Sequence, residues 1–223
     1  MSNYIYVKKF KEHQDYKKFI STQLEFYDSV SNGAALGFFL FLEHDDIYTI
    51  GRFTKFEDNR NLPIFRSTRG GNVTYHGPGQ LIFYPIINLK SLGLKLKDFV
   101  DALQDAVLTL LNSFDLIGEK NIYGPGVWVQ NKKIASIGVS VRKGISMHGL
   151  SINLNCSLDK FNLIAPCGNP EIMVGNLEDL TKLDKHKCCD LLANNFFDEI
   201  KSRINYPKKN KISLSADSFE SEP

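Results

Sequence analysis

The chain is poor in the features that mark membrane, secreted, metal-bound or nucleic-acid-binding proteins. Its longest apolar run, residues 34–42, is about half of the roughly 20 residues needed to cross a bilayer. Residues 1–11 alternate polar and apolar side chains and lack the apolar core of a signal peptide. The expectation is therefore a cytoplasmic protein. Its four cysteines (Cys156, Cys167, Cys188 and Cys189) are expected to be reduced there, and no CxxC or CxxH pair suggests zinc. Adjacent Cys188 and Cys189 read as part of a buried helix. A net charge of +2 is too weak to point to nucleic acid.

What is present is a core. With 223 residues, 43% hydrophobic and 12% aromatic, the chain is long enough for one large domain. Helical rhythm marks residues 15–30, 96–114 and 183–204. Strand-like runs cover 5–7, read as a short edge strand, then 35–42, 63–68, 73–75, 81–89, 127–130, 133–141 and 145–154. A turn at His44-Asp45-Asp46 followed by residues 47–50 reads as a hairpin with 35–42. A long irregular stretch, 162–176, has the length of a functional or disordered loop. Strands dominate the middle and helices bracket them. That predicts a single α/β (α+β) domain over 1–204 with a mixed sheet, and a polar, flexible tail over 205–223.

Three segments carry side chains suited to chemistry. The first is Arg69-Gly70-Gly71-Asn72-Val73-Thr74-Tyr75-His76-Gly77-Pro78-Gly79-Gln80, in which five of twelve residues are Gly or Pro. Glycine allows a ligand to approach the backbone closely, and Arg69 or His76 could bind a carbonyl, carboxylate or phosphate. The same composition also suits a tight turn with both side chains at the surface. In the second segment Lys133 opens an otherwise apolar strand, either snorkelling to solvent or held at the sheet end for a purpose. His148 has two readings as well, a strand-end histidine or a base. The third segment is Ala165-Pro166-Cys167-Gly168, a thiol in a loop and outside any apolar periodicity, whereas Cys156 reads as structural.

Taken together, RGGNVTYHGPGQ (69–80), GVWV and KIASIG (126–138), HGLSINLN (148–155) and APCG (165–168) resemble the octanoyltransferase family of lipoate biosynthesis. The weaker Thr49-Ile50-Gly51-Arg52 fits that family's early glycine–arginine element. The resemblance implies a fold similar to biotin and lipoate protein ligases, a mixed sheet flanked by helices. It implies Cys167 as the acyl-thioester nucleophile and Lys133 as its partner. Contacts to the acyl group would come from residues 69–76, from Ser136, Ile137 and Gly138, and from Gly149, Leu150 and Ser151. One departure is Gly175-Asn176-Leu177, where the family has Thr-Ser-Leu.

The resemblance further implies octanoyl-acyl carrier protein as donor. The implied acceptors are lipoyl domains of 2-oxoacid dehydrogenases and the glycine cleavage H protein. It calls for no cofactor and no metal, and the expected state is a monomer. Lys132, Arg142 and Lys143 suit acidic partners, or form a solvated turn. Two other readings share some of these features. An ATP-dependent lipoate or biotin ligase has the same fold but needs no catalytic cysteine, and a non-catalytic carrier-binding module would leave Cys167 and Lys133 apart. A Cys–His pair using His76 or His148 is a further variant.

Overall fold

The computed structural model describes residues 2–54, 62, 64–121, 123–164, 172–204 and 212–215. In chain order the elements are β1 (Tyr4–Lys9), α1 (Tyr16–Ser31), β2 (Gly37–Leu42), β3 (Ile47–Ile50), β4 (Ile64–Arg66), β5 (Thr74–His76), β6 (Gln80–Ile87) and α2 (Leu89–Leu92). They continue with α3 (Leu96–Asn112), β7 (Glu119–Asn121), β8 (Gly124–Val129), β9 (Lys132–Arg142), β10 (Ile145–Asn153), a 3-10 helix (Leu158–Leu163), α4 (Lys185–Arg203) and β11 (Ser213–Ser215). Eight strands form one mixed sheet in the order β11-β1-β2-β6-β10-β9-β8-β7. Beside it stands a three-stranded sheet, β4-β3-β5.

The long apolar run of β2 is explained by cover on both faces. Phe39 and Phe41 enter a core beneath α3 and α4, whereas Phe38, Leu40 and Leu42 enter a second core beneath α1. A strand buried on both faces reads as continuously hydrophobic rather than alternating. Helix α1 starts where the Asp15 carboxylate accepts from Lys18 N at 2.8 Å, and α4 starts the same way on Asp184, which accepts from Lys187 N at 2.8 Å. Cys188 and Cys189 lie buried in α4, as their apolar neighbours predicted. Among the described residues no helix is long and apolar enough to cross a membrane.

Four expectations need correcting. Residues 47–50 do not return along β2, because β1 and β6 already occupy both edges of β2. β3 pairs instead with β4 and β5. β1 is not an edge strand: Ser213–Ser215 pairs parallel with it, with Tyr4 opposite Ser213. Those three residues fall within the stretch expected to be a flexible tail. They are ordered because β1 offers an open ladder and Ile212, 4% exposed, anchors the segment in the core. Cys156 follows β10 rather than lying in it, since the strand ends at Asn153.

The β6–β10 pairing carries an interruption that shapes the site. Its ladder runs from Asn153–Gln80 to Leu150–Phe83 and resumes in the same register at the Asn88–Ile145 bridge. In between, His148 faces Pro85, which has no N–H to donate. The Ser146 hydroxyl fills part of the gap, accepting from Ile87 N at 3.0 Å and donating to Pro85 O at 2.7 Å. Gln23 of α1 fills another part, its side-chain oxygen accepting from His148 N at 3.0 Å. His148 adopts φ 58, the left-handed region that a residue other than glycine rarely occupies inside a strand.

Candidate active site

The segment joining β4 to β5 folds onto the end of β9, and its arginine holds it there. Arg69 is 7% exposed, not a surface side chain. Its guanidinium donates to Thr49 O at 2.7 Å, Asn72 O at 2.8 Å and Gly70 O at 2.9 Å, and to the Thr49 hydroxyl at 2.9 Å. The planar fork thus clamps its own loop. Arg52 N donates to Arg69 O at 3.0 Å, so the early glycine–arginine element packs against this loop. A Cβ on Gly51 would lie 1.7 Å from Gly71 O, which is why that contact requires glycine. On the other side Gly70 N donates to Val139 O at 2.9 Å, and a Cβ on Gly138 would sit 3.0 Å from Gly70 O.

A cavity lies between this loop and the β9–β10 ribbon. From the loop and β5 it is lined by Arg69, Gly71, Asn72, Val73, Thr74 and His76. β9 contributes Lys133, Ser136, Ile137 and Gly138, and β10 contributes Gly149, Leu150 and Ser151. Segments far apart in sequence therefore meet around one space. Gly70 and Tyr75 are not among its lining residues. Gly70 spends its N–H on β9. Tyr75 alternates with Thr74 and His76 along β5 and faces the other way, its hydroxyl on Asp46 and its ring against Tyr48 and Phe161.

Lys133 does not snorkel. It is 2% exposed, with Nζ 4.8 Å from the Trp128 ring centroid and 3.5 Å from Pro125 O. Its backbone pairs with residues 173–175: Lys133 N donates to Met173 O at 2.8 Å and Gly175 N donates to Lys133 O at 3.1 Å. Gly126, whose Cβ would lie 2.6 Å from Lys133 Cε, and the Trp128 ring lie against the side chain, a tertiary effect that the local pattern does not encode. Cys167 lies outside the described residues. The three described cysteines are all buried, and burial pushes the Cys156 and Cys189 thiols up to about 12 and that of Cys188 to about 11. None of them is a ready thiolate near neutral pH. Asn176, in the place where the related pattern has a hydroxyl residue, brackets Cys156. Its amide accepts from Cys156 N at 3.1 Å and donates to Cys156 O at 3.0 Å.

A model of the lipoyl protein ligase A/B catalytic domain matches residues 15–197. The chain belongs to this family. Within the lipoyl protein ligase A/B family it is similar to the octanoyltransferase of Clostridium kluyveri, with 39% identity over 204 residues, 86% of each chain. It is also similar to the octanoyltransferase of Xylella fastidiosa, with 38% identity over 157 residues, 69% of each chain. Among solved structures, the bi-partite lipoate protein ligase of Thermoplasma acidophilum superposes with a TM-score of 0.67 at 17% identity, covering 99% of this chain and 88% of that one. Lipoate-protein ligase A bound with ATP gives 0.64 at 16% identity, covering 99% and 90%. The biotin protein ligase of Aquifex aeolicus gives 0.52 at 17% identity, covering 94% and 74%. These structures share the fold, a mixed sheet flanked by helices, as the sequence predicted.

Two residues of this lipoyl ligase-family cavity were not in the expected set of acyl contacts, Tyr84 and His148. Tyr84 lies in an apolar strand and gives no local signal. His148, read as a strand-end residue or a base, sits mid-strand, with Nε2 2.9 Å from the Thr68 hydroxyl and Nδ1 buried without a hydrogen-bond partner. Burial lowers His148 and His76 to about 3, with the nearby Arg69 guanidinium adding to the effect. His44, 2.8 Å from Gln14 O through Nδ1 and 2.9 Å from the Tyr84 hydroxyl through Nε2, is lowered to about 4 by burial. Because a carbonyl only accepts, His44 Nδ1 carries the proton and Tyr84 donates to Nε2. All three imidazoles are neutral at pH 7, and neither cavity histidine is tuned to serve as a general base there.

Proposed function

We propose that the protein is an octanoyltransferase. It carries the octanoyl group of a carrier thioester on Cys167 and delivers it to the lysine amine of a lipoyl domain. The octanoyltransferases at 38% and 39% identity support the substrate class, and the observation that carries the mechanism is Lys133, 2% exposed at the lining of the cavity. A buried ammonium favours a thiolate beside it, and Cys167 stands six residues before Met173, whose carbonyl accepts from Lys133 N (173 − 167 = 6).

In the first half-reaction the thiolate forms a C–S bond to the donor carbonyl carbon. The donor's C–S bond breaks, and the departing thiol takes its proton from the Lys133 ammonium. Sulfur is then neutral, and Lys133, having given up its proton in that step, is the group left to accept one. In the second half-reaction the acceptor lysine attacks the thioester. The C–N bond forms, Cys167 leaves as thiolate, and Lys133 Nζ takes the proton lost by the amine. One lysine thus acts first as acid and then as base, and the donor thioester supplies the driving force without ATP. The thiolate serves as both nucleophile and leaving group.

His76 and His148, lowered to about 3, are ill-suited to the base role of a Cys–His pair. Release of carrier thiol and formation of octanoylated lipoyl domain, followed without nucleotide, test the reading. Turnover should proceed with octanoyl-carrier alone. A requirement for ATP together with free octanoate would assign the chain to the ligase chemistry instead.

A further inference from the structure

The cavity's far end is closed by the two residues absent from the expected contact set. His148 is 2% and Tyr84 4% exposed, and their rings meet edge to face with centroids 5.9 Å apart. Behind them lies packed protein. The Tyr84 hydroxyl is bonded to His44 at 2.9 Å, its ring is 6.2 Å from Phe19 of α1, and His148 is tied to Thr68 and Gln23. The backbone turn at His148, φ 58, sets this wall. Regular alternation would send residue 148 to the same face as Ile152, whose side chain joins the α3–α4 core and does not line the cavity. The left-handed turn instead brings the ring to the cavity, where it meets Tyr84.

The reactive end can be placed by register. A Cβ on Gly126 would lie 2.6 Å from Lys133 Cε and 3.1 Å from Nζ, and Gly126 pairs with Ser136. Lys133 Nζ therefore sits at the Ser136 level, opposite Ser151. From that pair the β9–β10 ribbon passes Ile137–Leu150 and Gly138–Gly149 to reach Val139–His148. Three steps of about 3.3 Å give a trough of about 10 Å. An extended octanoyl chain advances about 1.25 Å for each of its seven C–C bonds, or about 9 Å in all, from ordinary bond lengths and angles.

We infer that His148, held in its left-handed turn and backed by Tyr84, is the ruler that fixes acyl-chain length at about eight carbons. This rests on the acyl-transfer reading above and adds to it a residue that decides specificity. The neutral imidazole and the tyrosine ring meet the terminal methyl without burying a charge. A longer chain must either displace the wall or leave methylenes outside the trough.

The test compares loading of the enzyme by octanoyl-, decanoyl- and dodecanoyl-carrier, read by intact mass, for wild type, His148→Gly and His148→Asn. Glycine and asparagine both tolerate the left-handed backbone, so either variant shortens the ring position without imposing strain. Wild type should load octanoyl at least about tenfold faster than dodecanoyl. In the variants the dodecanoyl-to-octanoyl ratio should rise by roughly 15-fold if two further methylenes are buried, at about fourfold per methylene. Equal loading of octanoyl and dodecanoyl by wild type overturns the ruler without reference to any variant. So does loading by either variant with an unchanged ratio. Absence of any adduct on wild type with all three donors overturns the transfer reading itself.

Discussion

The three buried histidines make a specific pH dependence of stability. His44 is lowered to about 4, and His76 and His148 to about 3, in each case chiefly by burial. In the unfolded chain each takes up a proton as pH falls through about 6.5, whereas the folded protein resists until about 4 or 3. The unfolded state thus binds more protons, so stability is complete above about pH 6.5 and is lost as pH falls toward the folded values. Between pH 7 and 5 each histidine removes about 2 kcal/mol by linkage. The three together therefore cost about 6 kcal/mol, and repulsion between His44 and His76, 6.0 Å apart, only lowers their folded values further. That is comparable with the whole stability of many domains. Glu43 and Asp46, held below the ordinary carboxylate range, titrate beneath this window and do not mask it. Urea unfolding at pH 7, 6 and 5 measures the effect. The midpoint should fall steeply, with a slope that approaches about 4 kcal/mol per pH unit, and His44→Gln should reduce that slope by about a third. Stabilities at pH 7 and 5 that agree within about 1 kcal/mol would refute the claim that these rings are buried and neutral.

Other substitutions probe the loop, the ladder and the mechanism. Arg69→Lys cannot reproduce a fork that reaches Thr49 O, Gly70 O and Asn72 O. It should cost about 2–4 kcal/mol in urea unfolding and slow acyl loading, whereas an effect under about 0.5 kcal/mol would contradict the clamp. Ser146→Ala leaves Ile87 N and Pro85 O without the hydroxyl that bridges them, which should cost about 2 kcal/mol with little change in chain-length selectivity. Lys133→Met keeps the stem beside Trp128 but removes the proton carrier. Turnover should drop by about 100-fold or more while the near-ultraviolet spectrum stays native, and turnover within about threefold of wild type would exclude the acid–base role.

The parts of this fold that could be read from the sequence are those set by local periodicity. α3 displays its stripe of Phe99, Leu103, Val107 and Leu110, and β2 displays a run that only a doubly covered strand requires. The two-residue turn at Lys143-Gly144, φ 49 and 87, falls where the strand runs break. What local pattern could not give is the partner of each edge. β3 looks like a hairpin return because sequence proximity favours it, yet β1 and β6 had already filled β2. Lys133 looks like a snorkelling lysine because its own strand does not reveal that Gly126 and the Trp128 ring close around its stem. His148 is the clearest case, since its direction depends on a backbone turn opposite Pro85. The close backbone approaches at Gly51–Gly71 and Gly70–Gly138 leave a mark in composition, but glycine content alone also suits a surface turn, and it was the resemblance that singled out the glycine-rich loop. Cys167 was distinguished from the buried cysteines by its loop position and by resemblance, and its role remains the part of the account to be measured.

Peptide mapping of the protein after brief exposure to octanoyl-carrier, without nucleotide, measures it most directly. The account predicts a hydroxylamine-labile octanoyl group on the peptide containing Cys167, absent in Cys167→Ala and chased onto a lipoyl domain when one is added. An octanoyl group on any other residue, or transfer at the wild-type rate by Cys167→Ala, would contradict it.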